Sequence, residues 1–162
     1  MLVHACLQVI GRKGYEILIN RSLEKARYFA GLIDLHPEFE LVTAPELCLL
    51  TYRYVPAPVQ KLLAQACQAQ NWELVQKINE LLSGLTKFIQ KRQREEGRSF
   101  VSRTRLKPAR YQRQDTVVFR VVLANPLTTD HILHDVLAEQ VELAAMDKEF
   151  LPKLLSLAKD KN

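Results

Sequence analysis

Long apolar runs, paired cysteines and glycine-rich phosphate loops are all missing from this 162-residue chain. Its longest apolar stretch, Leu2 to Ile10, is too short to cross a bilayer, and Arg12 and Lys13 follow that stretch, the reverse of the order in a secretory signal. Neither export nor a membrane anchor is indicated. The three cysteines, Cys6, Cys48 and Cys67, stand far apart with no C-x-x-C pair, so no disulfide framework or zinc-cysteine site is expected, and a reducing cytoplasm fits best. No G-x-G-x-x-G, P-loop, G-x-S-x-G or H-E-x-x-H occurs. His131 and His134 lie three apart beside Asp130 and Asp135, but no third ligand has supportive spacing, so no metal is expected. A nucleophile, base and orienting group able to meet are likewise lacking, and no catalytic residue is assigned.

What is present suffices for one compact domain. Hydrophobic residues make up 48% of the chain, enough for a real core at this length. The net charge of +5 is concentrated: from Lys87 to Arg120 there are eleven Lys or Arg against three acids, while the remainder is net negative. Such a patch suits nucleic acid, an anionic cofactor or an acidic protein surface, and equally a solvated helix end and loop. Nucleic acid is disfavoured, because stacking needs aromatics on the same surface and Phe119 belongs to the core pattern. A stand-alone anion- or nucleic-acid-binding module using residues 87–113, and a non-catalytic oligomerisation domain, are retained as alternatives.

Hydrophobic spacing predicts a helix from Gly14 to about Asp34, ended by His36-Pro37. Strands are expected over Phe39 to Val42 and Cys48 to Val55, closed by Pro56. Helices follow from Pro58 to Ala66 and beyond Trp72, the second capped at Gly97, with basic residues in its last turn. Strands at about Ser99 to Arg105 and Thr116 to Ala124 come next, then a helix capped by Thr128 and a short amphipathic segment after Pro152. This order reads as an α+β fold, a small, mainly antiparallel sheet with helices packed on one face. The Leu2–Ile10 segment, as a helix, is apolar nearly all round, and such a helix normally lies inside a larger body of protein.

Thr116-Val117-Val118-Phe119-Arg120-Val121-Val122-Leu123-Ala124-Asn125-Pro126 sets one guanidinium in an otherwise apolar strand. Two readings follow. If both faces are covered, Arg120 points into a region short of water and requires a carboxylate or phosphate, from a neighbour or a ligand. If the strand is an edge, the head group reaches water past Val118 and Val122.

Several segments resemble, in the same order, a known family. Cys48-Leu49-Leu50-Thr51-Tyr52-Arg53-Tyr54-Val55-Pro56 is similar to the "VCFWYIP" strand of glutamate decarboxylases. Ser99-Phe100-Val101-Ser102 and Val118 to Pro126 resemble their "TMVSY" and "FFRMVISNP" strands. Arg12-Lys13-Gly14-Tyr15-Glu16, Ser22-Leu23-Glu24-Lys25-Ala26 and Phe39-Glu40-Leu41-Val42 resemble "KGxxGFE", "CLELA" and "FEMVF". The matches run from about Ala5 to Leu143. They point to the C-terminal small domain of a group II pyridoxal-phosphate-dependent amino-acid decarboxylase.

That resemblance implies residues 1–13 as a linking helix from an upstream large domain and 14–162 as the small domain of a fold-type I enzyme, usually a cytosolic homodimer. It implies pyridoxal 5'-phosphate held by a lysine in the large domain. No His-Lys dipeptide occurs here, so the chain alone is expected to be inactive. It further implies that Arg120 binds a substrate carboxylate, a role suited to a planar guanidinium and poorly filled by lysine. Aspartate or glutamate is the expected substrate, with diaminobutyrate or an aromatic amino acid behind them. Two departures bear on that choice, the helical segment from Ala57 to Ser83 and the basic loop from Lys107 to Asp115.

Overall fold

The computed structural model of the chain describes residues 2–159; Met1 and residues 160–162, the outer ends of the two expected segments, lie outside the described residues. Helix α1 (Leu2–Leu35) leads into strands β1 (Phe39–Glu46) and β2 (Leu49–Tyr54), then helices α2 (Ala57–Gln68) and α3 (Trp72–Glu96). Strand β3 (Ser102–Leu106), a 3-10 turn at Ala109–Tyr111, strand β4 (Thr116–Val122) and helices α4 (Asp130–Ala145) and α5 (Phe150–Lys159) complete the order. The four strands form one sheet in the order β1-β2-β4-β3, every neighbouring pair antiparallel. This is the α+β architecture that the hydrophobic spacing predicts.

Local chemistry sets the helix ends. Gly97 closes α3 in the left-handed conformation (φ 71°), and its N–H reaches Gln93 O at 3.1 Å. Asn71 Oδ1 accepts the Leu74 N–H at 3.1 Å at the other end. Helix α4 is capped by Thr129, one residue later than expected, its Oγ1 accepting the Ile132 N–H at 3.4 Å, with Asp130 in the first turn. Helix α5 begins at Phe150, so Pro152 lies inside its first turn, where an absent N–H costs no helical bond. The apolar N-terminal segment and the Gly14–Asp34 helix form one rod broken at Gly11, whose φ of 68° and ψ of 172° are open to glycine and strained for other residues.

Strand pairing sorts the sheet residues by face. Tyr52 is opposite Phe119, and the two rings lie 5.3 Å apart, with Phe29 of α1 edge-on to Tyr52 at 5.4 Å. Here lies the core under α1 and α4, continued by Ile33, Leu50 and Leu143, all fully buried. The other face carries Thr51, Arg53, Val118 and Arg120. It is closed at the Arg53 end and open at the Arg120 end, where Leu49 and Val122 are exposed.

Candidate functional site

Strand β4 is an inner strand, yet Arg120 is exposed, so neither expectation for it holds in full. The residues on either side explain the difference. Val118, two positions earlier on the same face, is fully buried, whereas Val122, two positions later, is 54% exposed. Cover on this face thus ends between Val118 and Arg120. Thr51 stands opposite on β2 and Ser102 on β3, with Ser102 Oγ donating to the Arg120 carbonyl at 2.7 Å.

Beside Arg120 opens a cavity of about 410 Å3, walled by Ser99 to Ser102, Val121 to Leu123, Phe29 of α1, and Ile132, Leu133 and Val136 of α4. The Asn125-Pro126 corner below it is fixed by Lys25 of α1, whose Nζ donates to Asn125 O at 2.8 Å and Pro126 O at 3.4 Å. Among the described residues no carboxylate forms an ion pair with Arg120. Its guanidinium is therefore available to an anion entering from the open side, and can grip a carboxylate by two parallel bonds. The lining contains no lysine to form a Schiff base and no carboxylate to pair with a pyridine nitrogen, so these residues do not supply the groups that hold the ring of pyridoxal phosphate.

The guanidinium that the sheet does seal is Arg53, fully buried and not singled out by its strand pattern. Its Nε donates to Glu40 at 2.5 Å across the β1–β2 pair, and its Nη1 donates to Asn79 Oδ1 of α3 at 2.9 Å. Arg110 meets the same Glu40 at 2.7 Å, and the Tyr111 hydroxyl also donates to it. Both guanidiniums lie over the Tyr111 ring, at 5.0 and 5.1 Å. Burial pushes the Tyr111 hydroxyl up to about 12, and Glu40 adds to the rise while Arg53 opposes it. Burial and Glu40 raise Cys67 as well. The β1–β2 register sets Glu40 directly opposite Arg53, a pairing that no local sequence pattern reveals.

The other expected features are dispersed. His131 pairs with Asp135 at 3.4 Å and His134 Nε2 meets the Tyr28 hydroxyl at 3.0 Å, so the two point to different neighbours. Five of the eleven cations in the basic stretch, Lys91, Arg92, Arg98, Lys107 and Arg110, are engaged by the chain's own carboxylates. Of its aromatics, Tyr111 and Phe119 are buried, which removes them as stacking platforms for nucleic-acid bases.

No family model matches the chain. Among solved structures, mouse CSAD in its apo form superposes with a TM-score of 0.69 at 21% identity, over 88% of this chain. The glutamate decarboxylase domain of a diaminobutyrate-pyruvate transaminase and L-2,4-diaminobutyrate decarboxylase from Vibrio parahaemolyticus gives 0.65 at 17% identity, also over 88%. Oryza sativa TDC with PLP and tryptamine gives 0.62 at 15% over 86%. The fold is that of the C-terminal small domain of group II pyridoxal-phosphate-dependent decarboxylases. An aspartate 1-decarboxylase of Aliivibrio fischeri is 60% identical over 154 residues, 95% of this chain. The chain spans about a quarter of the length of these relatives, 27% of the curated protein and 25 to 27% of the three structures. Within this fold, Arg120 lies on the sheet face that the chain itself leaves open.

Proposed function

We propose that the chain is the small domain of a pyridoxal-phosphate-dependent decarboxylase of a small acidic L-amino acid, with aspartate favoured over glutamate. The 60% identity to an aspartate 1-decarboxylase supports the substrate. The observation that carries the site is the unpaired Arg120 beside an open cavity. In the complete enzyme, an upstream large domain closes that cavity, residues 1–13 link the domains, and 14–162 form the small domain. The cofactor is held by residues outside this chain, and the chain alone does not decarboxylate. The complete enzyme is a cytoplasmic homodimer.

In this reading Arg120 binds and orients a substrate carboxylate while the cavity wall excludes water from the ion pair. The test is Arg120→Ala and Arg120→Lys in the complete polypeptide, assayed with aspartate and glutamate. Losing the bidentate bond is expected to cost the alanine variant about 3 kcal/mol in kcat/KM, on the order of a hundredfold. The lysine variant is expected to recover only part of this, with cofactor absorbance unchanged in both. Unaltered kinetics on both substrates in the alanine variant contradict the role.

A further inference from the structure

Residues 98–101, which wall the Arg120 cavity, belong to neither a helix nor a strand. Backbone ladders cannot hold them, and side chains do so instead. At the centre is Glu139 of α4, only 4% exposed. Its Oε2 accepts from the Ser99 hydroxyl and from Gln93 Nε2 at 3.3 Å, and Gln93 Nε2 also reaches Ser99 Oγ at 2.6 Å. Its Oε1 lies 3.5 Å from Arg98 Nε and accepts no hydrogen bond. Arg98 is held further by Glu142 at 2.9 Å and Glu96 at 3.6 Å, and Gln140 donates to Gln93 Oε1 at 3.4 Å.

We propose that Glu139 is a positioning residue for the Arg120 site, acting through the segment from Arg98 to Ser102. The segment is clamped by Glu139 at Ser99, and its far end carries Ser102, whose hydroxyl bonds the Arg120 carbonyl. Between the two clamps stands Phe100, 65% exposed at the cavity. A buried carboxylate is a poor source of stability compared with a packed apolar side chain. Its directional bonds fix where an irregular segment lies, which hydrocarbon packing does not. Releasing the clamp lets Ser99 and Phe100 drift while Ser102 stays held in the β3–β4 ladder, and this blurs the cavity wall beside which Arg120 meets a carboxylate.

This inference rests on the decarboxylase reading, and its test separates the two. In the complete polypeptide, Glu139→Ala is expected to raise KM for aspartate about fivefold with kcat within about twofold, the signature of carboxylate binding weakened equally in the ground and transition states. Amide exchange over 98–101 is expected to quicken about tenfold as the segment opens locally. Glu139→Gln keeps an acceptor for Ser99 and is expected to restore KM to within about twofold. An unchanged KM in Glu139→Ala overturns the proposal, whether or not the melting temperature falls. Should that variant fail to fold, Ser99→Ala severs the same contact from the segment side, and an unchanged KM there overturns it equally. Should the wild-type enzyme consume neither aspartate nor glutamate, the substrate reading fails and exchange decides: faster exchange over 98–101 supports the clamp, and unchanged exchange overturns it.

Discussion

Arg53 and Arg120 share one face of the sheet, because Thr51, two residues before Arg53 on β2, stands directly opposite Arg120 on β4. At a rise of about 3.3 Å per residue and a strand spacing of about 4.8 Å, their backbones lie roughly 8 Å apart. One is sealed and paired; the other is open and unpaired. The contrast follows from what covers them. Asn79 of α3 bonds Arg53 and Tyr111 stacks on it, while around Arg120 the chain supplies no cover.

This arrangement makes the Arg53–Glu40 pair asymmetric under mutation. Glu40→Gln leaves a buried guanidinium without its counter-charge, at an expected cost of about 3–5 kcal/mol. Arg53→Met leaves Glu40 with Arg110 and the Tyr111 hydroxyl, and Asn79 still donates to Gln114 at 3.0 Å. Similar volume keeps the packing, so the expected loss is below about 2 kcal/mol. Urea midpoints of the two variants check this, and an equal or reversed order contradicts it.

The Tyr111 hydroxyl gives the fold an alkaline limit. In the unfolded chain it ionises near its ordinary value of 10.0, whereas in the fold it keeps its proton to about 12. Between those values the folded state binds more protons than the unfolded one, so stability falls as pH rises through that window and is unaffected below it. A two-unit shift corresponds to about 2–3 kcal/mol, and burial raises Tyr52 and Tyr54 in the same direction. Urea midpoints from about pH 9 to about pH 12 are expected to drop, and Tyr111→Phe to flatten part of the drop.

Much of this fold was legible in sequence because period and punctuation are local. The stripe from Leu74 to Ile89, the Gly97 cap and the strands around Tyr52 and Phe119 each lie where spacing and turn residues place them. The state of the two strand arginines was not. Arg53 and Arg120 both interrupt β-branched and aromatic runs, and no local pattern says which one α3 and the Ala109–Tyr111 turn will cover. Glu139 was hidden likewise: within α4 it reads as one more polar position, and its partners Gln93 and Ser99 are 46 and 40 residues away.

Where β2 and β4 cease to pair, beyond Tyr52 and Phe119, α3 completes the hydrogen bonding. Ser83 Oγ accepts the Val117 N–H at 3.0 Å in a buried setting. Ser83→Ala strands that N–H, and the expected cost is about 1–3 kcal/mol. Native-state hydrogen exchange locates the effect: the Val117 amide is expected to lose protection more than the Phe119 amide. Equal loss at both would mean general destabilisation with no specific bond broken.

Gly84 tests whether helix propensity or packing governs the middle of α3. Alanine there is worth about 1 kcal/mol more than glycine in an exposed helix, so propensity alone forecasts stabilisation. In this fold the added methyl would overlap the Phe150 ring of α5, with two of the ring carbons at 2.5 and 2.8 Å. Glycine therefore serves as the socket for Phe150. Gly84→Ala is expected to destabilise by about 1–3 kcal/mol, because overpacking outweighs the propensity gain. Trimming the ring with Phe150→Leu in the same chain relieves the overlap, so the double variant is expected to be more stable than the sum of the two single changes by about 1 kcal/mol or more. Thermal midpoints of the four proteins complete the cycle. Stabilisation by Gly84→Ala alone would mean that α5 is free to move away from α3.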